Sequence, residues 1–92
     1  MLKIEISKQF KKSLKKYKNN KKVLQELDLV LDLLVNGKPL PPKYKDHKLS
    51  GKLKSIRECH LRPDDLLLYF IVNDVGILKL YDIGTHSDIF NM

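Results

Sequence analysis

Asn36-Gly37 followed by Pro39, Pro41 and Pro42 splits the 92-residue chain into two stretches with different hydrophobic periods. An Asn-Gly pair supplies a helix stop, and prolines, which lack the backbone N–H and clash with the preceding turn, keep the helix from resuming. Upstream, apolar residues recur at helical spacing; downstream they alternate or run together as strands do. A chain of this length has room for one domain, taken as residues 1–92, with a single modest core. Any active site must then lie on the surface or at the edge of that unit.

Leu2, Ile4 and Ile6 alternate with Lys3 and Glu5, which predicts a short strand, and Ser7 offers an N-cap to a helix behind it. From Lys8 to Lys18, Phe10, Leu14 and Tyr17 keep helical spacing among lysines. Asn19-Asn20 interrupts that pattern and can cap a second helix, whose wide apolar stripe is formed by Val23, Leu24, Leu27, Val30, Leu31, Leu34 and Val35. The segment from Lys38 to Gly51 has no apolar period and is expected to be an ordered or semi-ordered surface loop. Three strands are predicted after it, at Leu53 to Leu61, Leu66 to Val72 and Ile77 to Ile83, with turns at Pro63-Asp64-Asp65 and Asn73-Asp74-Val75-Gly76. The unbroken apolar run Leu66 to Val72 reads as a central strand covered on both faces. The expected fold is α+β in the order β-α-α-β-β-β: an antiparallel sheet with a helical hairpin packed on one face and a short C-terminal segment.

Charge points to the partner. The net charge is +7, and nine lysines precede Val23 against one carboxylate, Glu5. A field so concentrated favours a polyanion, although basic helix faces are often merely solvated. Cys59 is the only cysteine, which excludes an internal disulfide and any zinc framework of paired cysteines. No stretch approaches the roughly 20 apolar residues that span a bilayer, and Met1 to Glu5 lacks a signal-peptide pattern, so a cytoplasmic protein without membrane contact is expected.

His47, His60 and His86 each sit at a predicted element boundary among polar neighbours. Strand parity places Ile56, Glu58 and His60 on one face and Ser55, Arg57 and Cys59 on the other, so Glu58 can orient His60 for acid-base work. Asp64 and Asp65 read first as turn residues, yet the turn lies just beyond His60 and one carboxylate can reach the same site. Phe90 either docks on the core or stacks on a nucleobase. The histidines lie far apart in the chain, without metal-ligand spacing, so neither metal nor cofactor is expected.

Three runs carry a family resemblance. Tyr44-Lys45-Asp46-His47-Lys48-Leu49-Ser50-Gly51 resembles the Y-K-D-H-x-L-x-G loop of YafQ-type toxins, within the RelE toxin superfamily. Arg57-Glu58-Cys59-His60-Leu61-Arg62-Pro63-Asp64 resembles the R-[DE]-x-H-x-x-P-D run of the same family, and Gly84-Thr85-His86-Ser87-Asp88-Ile89-Phe90 its G-T-H-x-x-L-F ending. Asp65 departs from relatives that carry an aromatic residue there.

The resemblance implies a RelE-like fold and a toxin that cuts messenger RNA, typically at the ribosome, under the control of an acidic antitoxin. It places His47 at the general base and ties His60, Asp64, His86 and Phe90 to activity, with His86 or His60 as the acid. The 2′-hydroxyl would attack the adjacent phosphorus without a metal ion. Lys45, Lys48, Lys52 and Arg62 are candidates to hold RNA and balance the phosphorane charge, Glu58 and Arg57 to support the site, and the basic N-terminal helix to face ribosomal RNA. Two rival readings remain: a ParE-like toxin that inhibits gyrase by binding, and a basic nucleic-acid-binding module.

Overall fold

A computed structural model describes residues 1–51 and 55–90. Strand β1 (Lys3–Ile6) leads into α1 (Lys8–Leu14), a short 3₁₀ turn (Lys15–Tyr17) and α2 (Lys21–Val35). Four further strands follow: β2 (His47–Lys48), β3 (Arg57–Arg62), β4 (Asp65–Val72) and β5 (Ile77–Gly84), and α3 (His86–Phe90) ends the fold. The expected caps form. Ser7 Oγ accepts the Phe10 N–H at 2.9 Å and Asn20 Oδ1 accepts the Val23 N–H at 3.2 Å. Each satisfies a helix-end donor that would otherwise be orphaned.

The five strands form one sheet in the order β1-β5-β4-β3-β2. Two expectations are corrected here. The sheet is mixed, because β1 pairs with β5 in parallel. The helices carry the chain from β1 at one edge to β2 at the other, and the return through antiparallel β3, β4 and β5 brings β5 back in the direction of β1. The loop from Lys38 to Gly51 also contains structure: a 3₁₀ turn at Pro42–Tyr44 and the two-residue strand β2. Tyr44, only 3% exposed, anchors it in the core. One aromatic does what no apolar period announced. The expected strand start at Leu53 and the candidate Lys52 lie outside the described residues.

Phe10, Tyr17, Val23, Leu27, Val30 and Leu34 pack with Cys59, Leu61, Leu67, Tyr69, Leu78, Leu80 and Ile83 in one core. Burying each large aliphatic side chain contributes about 1.5–3 kcal/mol. β5 can offer Leu78, Leu80 and Ile83 to the same face only by breaking its two-residue period. It does so at Tyr81, which the register skips as Leu68 pairs with Asp82 and Tyr69 with Leu80. Such a bulge re-aims the rest of the strand, and Thr85 and His86 follow directly. β4 is central and covered on both faces, as its apolar run predicts: Leu66, Leu67 and Leu68 are fully buried.

Candidate active site

The face of the sheet turned away from the main core carries the histidines. His60 and Glu58 alternate with Cys59 along β3, and β2 places His47 opposite Glu58. His86 opens α3 immediately beyond β5. The three imidazoles form a row, with ring centres 6.3 Å apart between His47 and His60 and 5.8 Å apart between His60 and His86. Phe90, one turn along α3, extends it at 6.3 Å from His86.

Each ring is oriented by an oxygen. Lys45 adopts a left-handed backbone (φ 49°), and its carbonyl lies 2.6 Å from His47 Nδ1. A carbonyl only accepts, so the proton of a neutral His47 belongs on Nδ1 and Nε2 is left as an acceptor. His60 has Nδ1 at 3.3 Å from the Pro63 carbonyl and Nε2 at 3.3 Å from Glu58 Oε1. Both partners are acceptors, so a singly protonated ring can donate to only one of them. Glu58 is 5% exposed, and the same Oε1 lies 3.5 Å from His47 Nε2. One nearly buried carboxylate therefore serves two imidazoles.

Asp64 reaches His86, not His60. Its Oδ1 lies 2.7 Å from His86 Nδ1, and this hydrogen bond, helped by the His86 backbone N–H, holds the Asp64 carboxyl below the usual aspartate range. A carboxyl depressed in the folded state adds stability above its unfolded value of about 3.9 and loses it as pH falls through the lower folded value. Asp64→Asn should therefore narrow its stability deficit against the wild type as urea titrations move into that acid range. A deficit that stays constant across it would rule out the linkage.

Folding also gathers what sequence spacing kept apart. Ligand atoms of Glu58, His60 and His86 lie within 4.8 Å of one another, a set suited to a divalent transition ion. The expectation of no metal-ligating group, drawn from distance along the chain, is corrected to that extent.

Residues 2–91 match the family described as "Bacterial toxin of type II toxin-antitoxin system, YafQ". The chain belongs to this family. The mRNA interferase toxin YafQ of Escherichia coli K12 is 36% identical over 88 residues, covering 95% of this chain and 94% of that one. Among solved structures, a metal-bound toxin from Helicobacter pylori is 49% identical with a TM-score of 0.89, covering 98% of this chain and 100% of that one. The toxin in the E. coli DinJ-YafQ complex is 35% identical with a TM-score of 0.85, covering 98% and 99%.

In this YafQ-family toxin the remaining candidates divide. Arg57 lies on the face away from His60, as parity predicts, and grips Asp46: Nη2 to Oδ2 at 2.9 Å, Nε to the two carboxylate oxygens at 3.2 and 3.3 Å. Tyr69 donates its hydroxyl to Asp46 Oδ1 at 2.6 Å. This clamp fixes the residue before His47, and no pattern in the sequence singles out Tyr69 or Asp46 for it. Lys48 pairs with Arg57, on the strand face opposite that of His47. Lys45 and Arg62 border a cleft beside His60. Asp65 accepts a hydrogen bond from the Tyr17 hydroxyl at 2.8 Å, so it ties the end of the first helical stretch to the turn.

Proposed function

We propose that this toxin is an endoribonuclease that cleaves messenger RNA by attack of the 2′-hydroxyl on the adjacent phosphorus. The carrying observation is the continuous His47, His60, His86 row with a carboxylate behind it. In-line displacement needs a base and an acid on opposite sides of the phosphorus, and the ends of the row supply them. In its neutral form His47 carries its proton on Nδ1, toward the Lys45 carbonyl, and Nε2 takes the proton of the 2′-hydroxyl. The 2′-oxygen bonds to phosphorus as the bond to the 5′-oxygen breaks, and His86, held by Asp64, protonates that departing oxygen. The products are a 2′,3′-cyclic phosphate and a 5′-hydroxyl. His60, oriented by the Pro63 carbonyl and Glu58, stabilises the phosphorane charge with Lys45 and Arg62, and Phe90 offers a stacking surface to a base.

Glu58, His60 and His86 fit a divalent ion, which when bound would polarise a phosphoryl oxygen. The acid-base route runs on protein groups alone, and an ion on these nitrogens would remove them from proton transfer. Cleavage should accordingly persist in excess EDTA and fall when zinc is added, with cut ends mapped as cyclic phosphate and 5′-hydroxyl. Loss of cleavage in EDTA and its return with zinc would overturn the metal-independent route.

The partner reading follows from the field and from the relative. The lysines of α1 and the turn after it (8, 11, 12, 15 and 16) are all exposed, so this surface is assigned to ribosomal RNA. The E. coli relative is found in complex with DinJ, and a cognate acidic antitoxin is assigned here on the same footing. Among the described residues no helix is long and apolar enough to cross a membrane.

A further inference from the structure

β2 pairs with Arg57 and Glu58, so among the described residues the outer edge of β3 from His60 to Arg62 has no strand neighbour. Beside it opens a cleft of about 290 Å³ that runs from His60, Arg62 and Pro63 to Glu26 on α2, with Lys45 and Tyr44 in its walls. Lys43, Lys45 and Arg62 make its border cationic, yet a carboxylate sits inside. Glu26 Oε2 accepts the Tyr44 hydroxyl at 2.6 Å, and Oε1 lies 3.6 Å from Lys43 Nζ.

A carboxylate repels phosphate, so its place next to an RNA-cleaving row calls for a ligand group that donates hydrogen bonds. We propose that this cleft receives the base of a nucleotide flanking the scissile phosphate and that Glu26 selects guanine. The inference rests on the nuclease reading above.

Single-stranded RNA presents its bases on their Watson–Crick edges. Guanine alone offers two adjacent donors there, N1–H and the N2 amino group, which match the two oxygens of a carboxylate. Adenine and cytosine set one amino donor beside a ring nitrogen that accepts, and uracil flanks its single N–H with two carbonyls. Carboxylate oxygens each have two acceptor sites, so Glu26 retains capacity after Tyr44 is bound. The Tyr44 hydrogen bond also holds the Glu26 carboxyl below the usual glutamate range and so keeps it ionised, while burial pushes the Tyr44 phenol up to about 12 and keeps it a donor. Lys45 and Arg62 are placed to hold the flanking phosphates.

Tyr44 and Glu26 also tie α2 to the loop, and the test must separate that tether from base reading. Glu26→Gln does so, since the amide oxygen still accepts from Tyr44 while the amide nitrogen faces the base with a donor. A randomised RNA pool is cut by the full-length toxin, with ribosomes present, and the ends are sequenced. Wild type is expected to show guanine enriched at one fixed position beside the cut, and Glu26→Gln to lose about ten-fold or more of that preference, with an unchanged melting temperature. Absence of base preference in the wild type, or the same preference in Glu26→Gln, overturns the guanine subsite and leaves the nuclease reading intact. Absence of any cutting by the wild type overturns both. Independently of any variant, titration of the wild-type toxin with GMP, AMP, CMP and UMP, followed by amide chemical shifts, should move Glu26, Tyr44 and Arg62 with GMP only. An equal response to all four overturns selection of guanine.

Discussion

Exchanging His47 or His86 for alanine should each slow RNA cleavage by about 10²–10⁴-fold, the range of a positioned acid or base. The folded state should barely notice. The two side chains are 48% and 40% exposed, so loss of their contacts, the exposed His86–Asp64 pair included, should cost the fold little. Removing both should cost less than the product of the two losses, because base and acid act in one displacement and their effects do not add. Single-turnover cleavage of a defined RNA measures the rates, and growth arrest on expression in a bacterium measures the consequence. If both variants arrested growth as fully as the wild type, the histidines would be dispensable and the rival reading of a toxin that acts by binding gyrase would take over. His60 should respond differently. Its ring stands between the two ends of the row, so His60→Ala should remove charge stabilisation while leaving the acid and base in place.

The histidine row was partly legible because two-residue parity is a local rule. Glu58 and His60 fall on one side of β3 whatever the sheet does elsewhere, and Arg57 must fall on the other. Parity had no purchase on His47, whose place depends on a two-residue strand within a proline-rich loop. That strand forms because Tyr44 buries its ring behind it and because Asp46 is clamped by Arg57 and Tyr69, three contacts between segments distant in the chain. The parallel pairing of β1 was equally hidden, since strand periodicity carries no direction. Metal spacing misled for the related reason that ligands need to be close in space, and the β3–β4–β5 meander returns His86 to His60.

Leu66→Ala and Leu67→Ala should each destabilise the fold by about 2–5 kcal/mol, yet only the first should impair cleavage by molecules that remain folded. Both side chains are fully buried in β4. They differ in face. Leu67 stands opposite Cys59 and Ile83 in the core beneath the helices, whereas Leu66 stands opposite His60 on one side and Gly84 on the other. A cavity at Leu66 lets the His60 ring and the start of α3 settle inward, and displacements of about 1 Å at reacting groups can cost 10²-fold in rate. A cavity at Leu67 opens on the other side of the sheet and leaves the row of imidazoles supported. For a domain whose whole stability is roughly 5–15 kcal/mol, either variant needs assay at low temperature, with the folded fraction fixed by urea titration. Equal cleavage per folded molecule in the two variants would mean that the site does not depend on the packing under His60. A loss confined to Leu66→Ala would show the second face of β4 to be the platform on which the catalytic row rests.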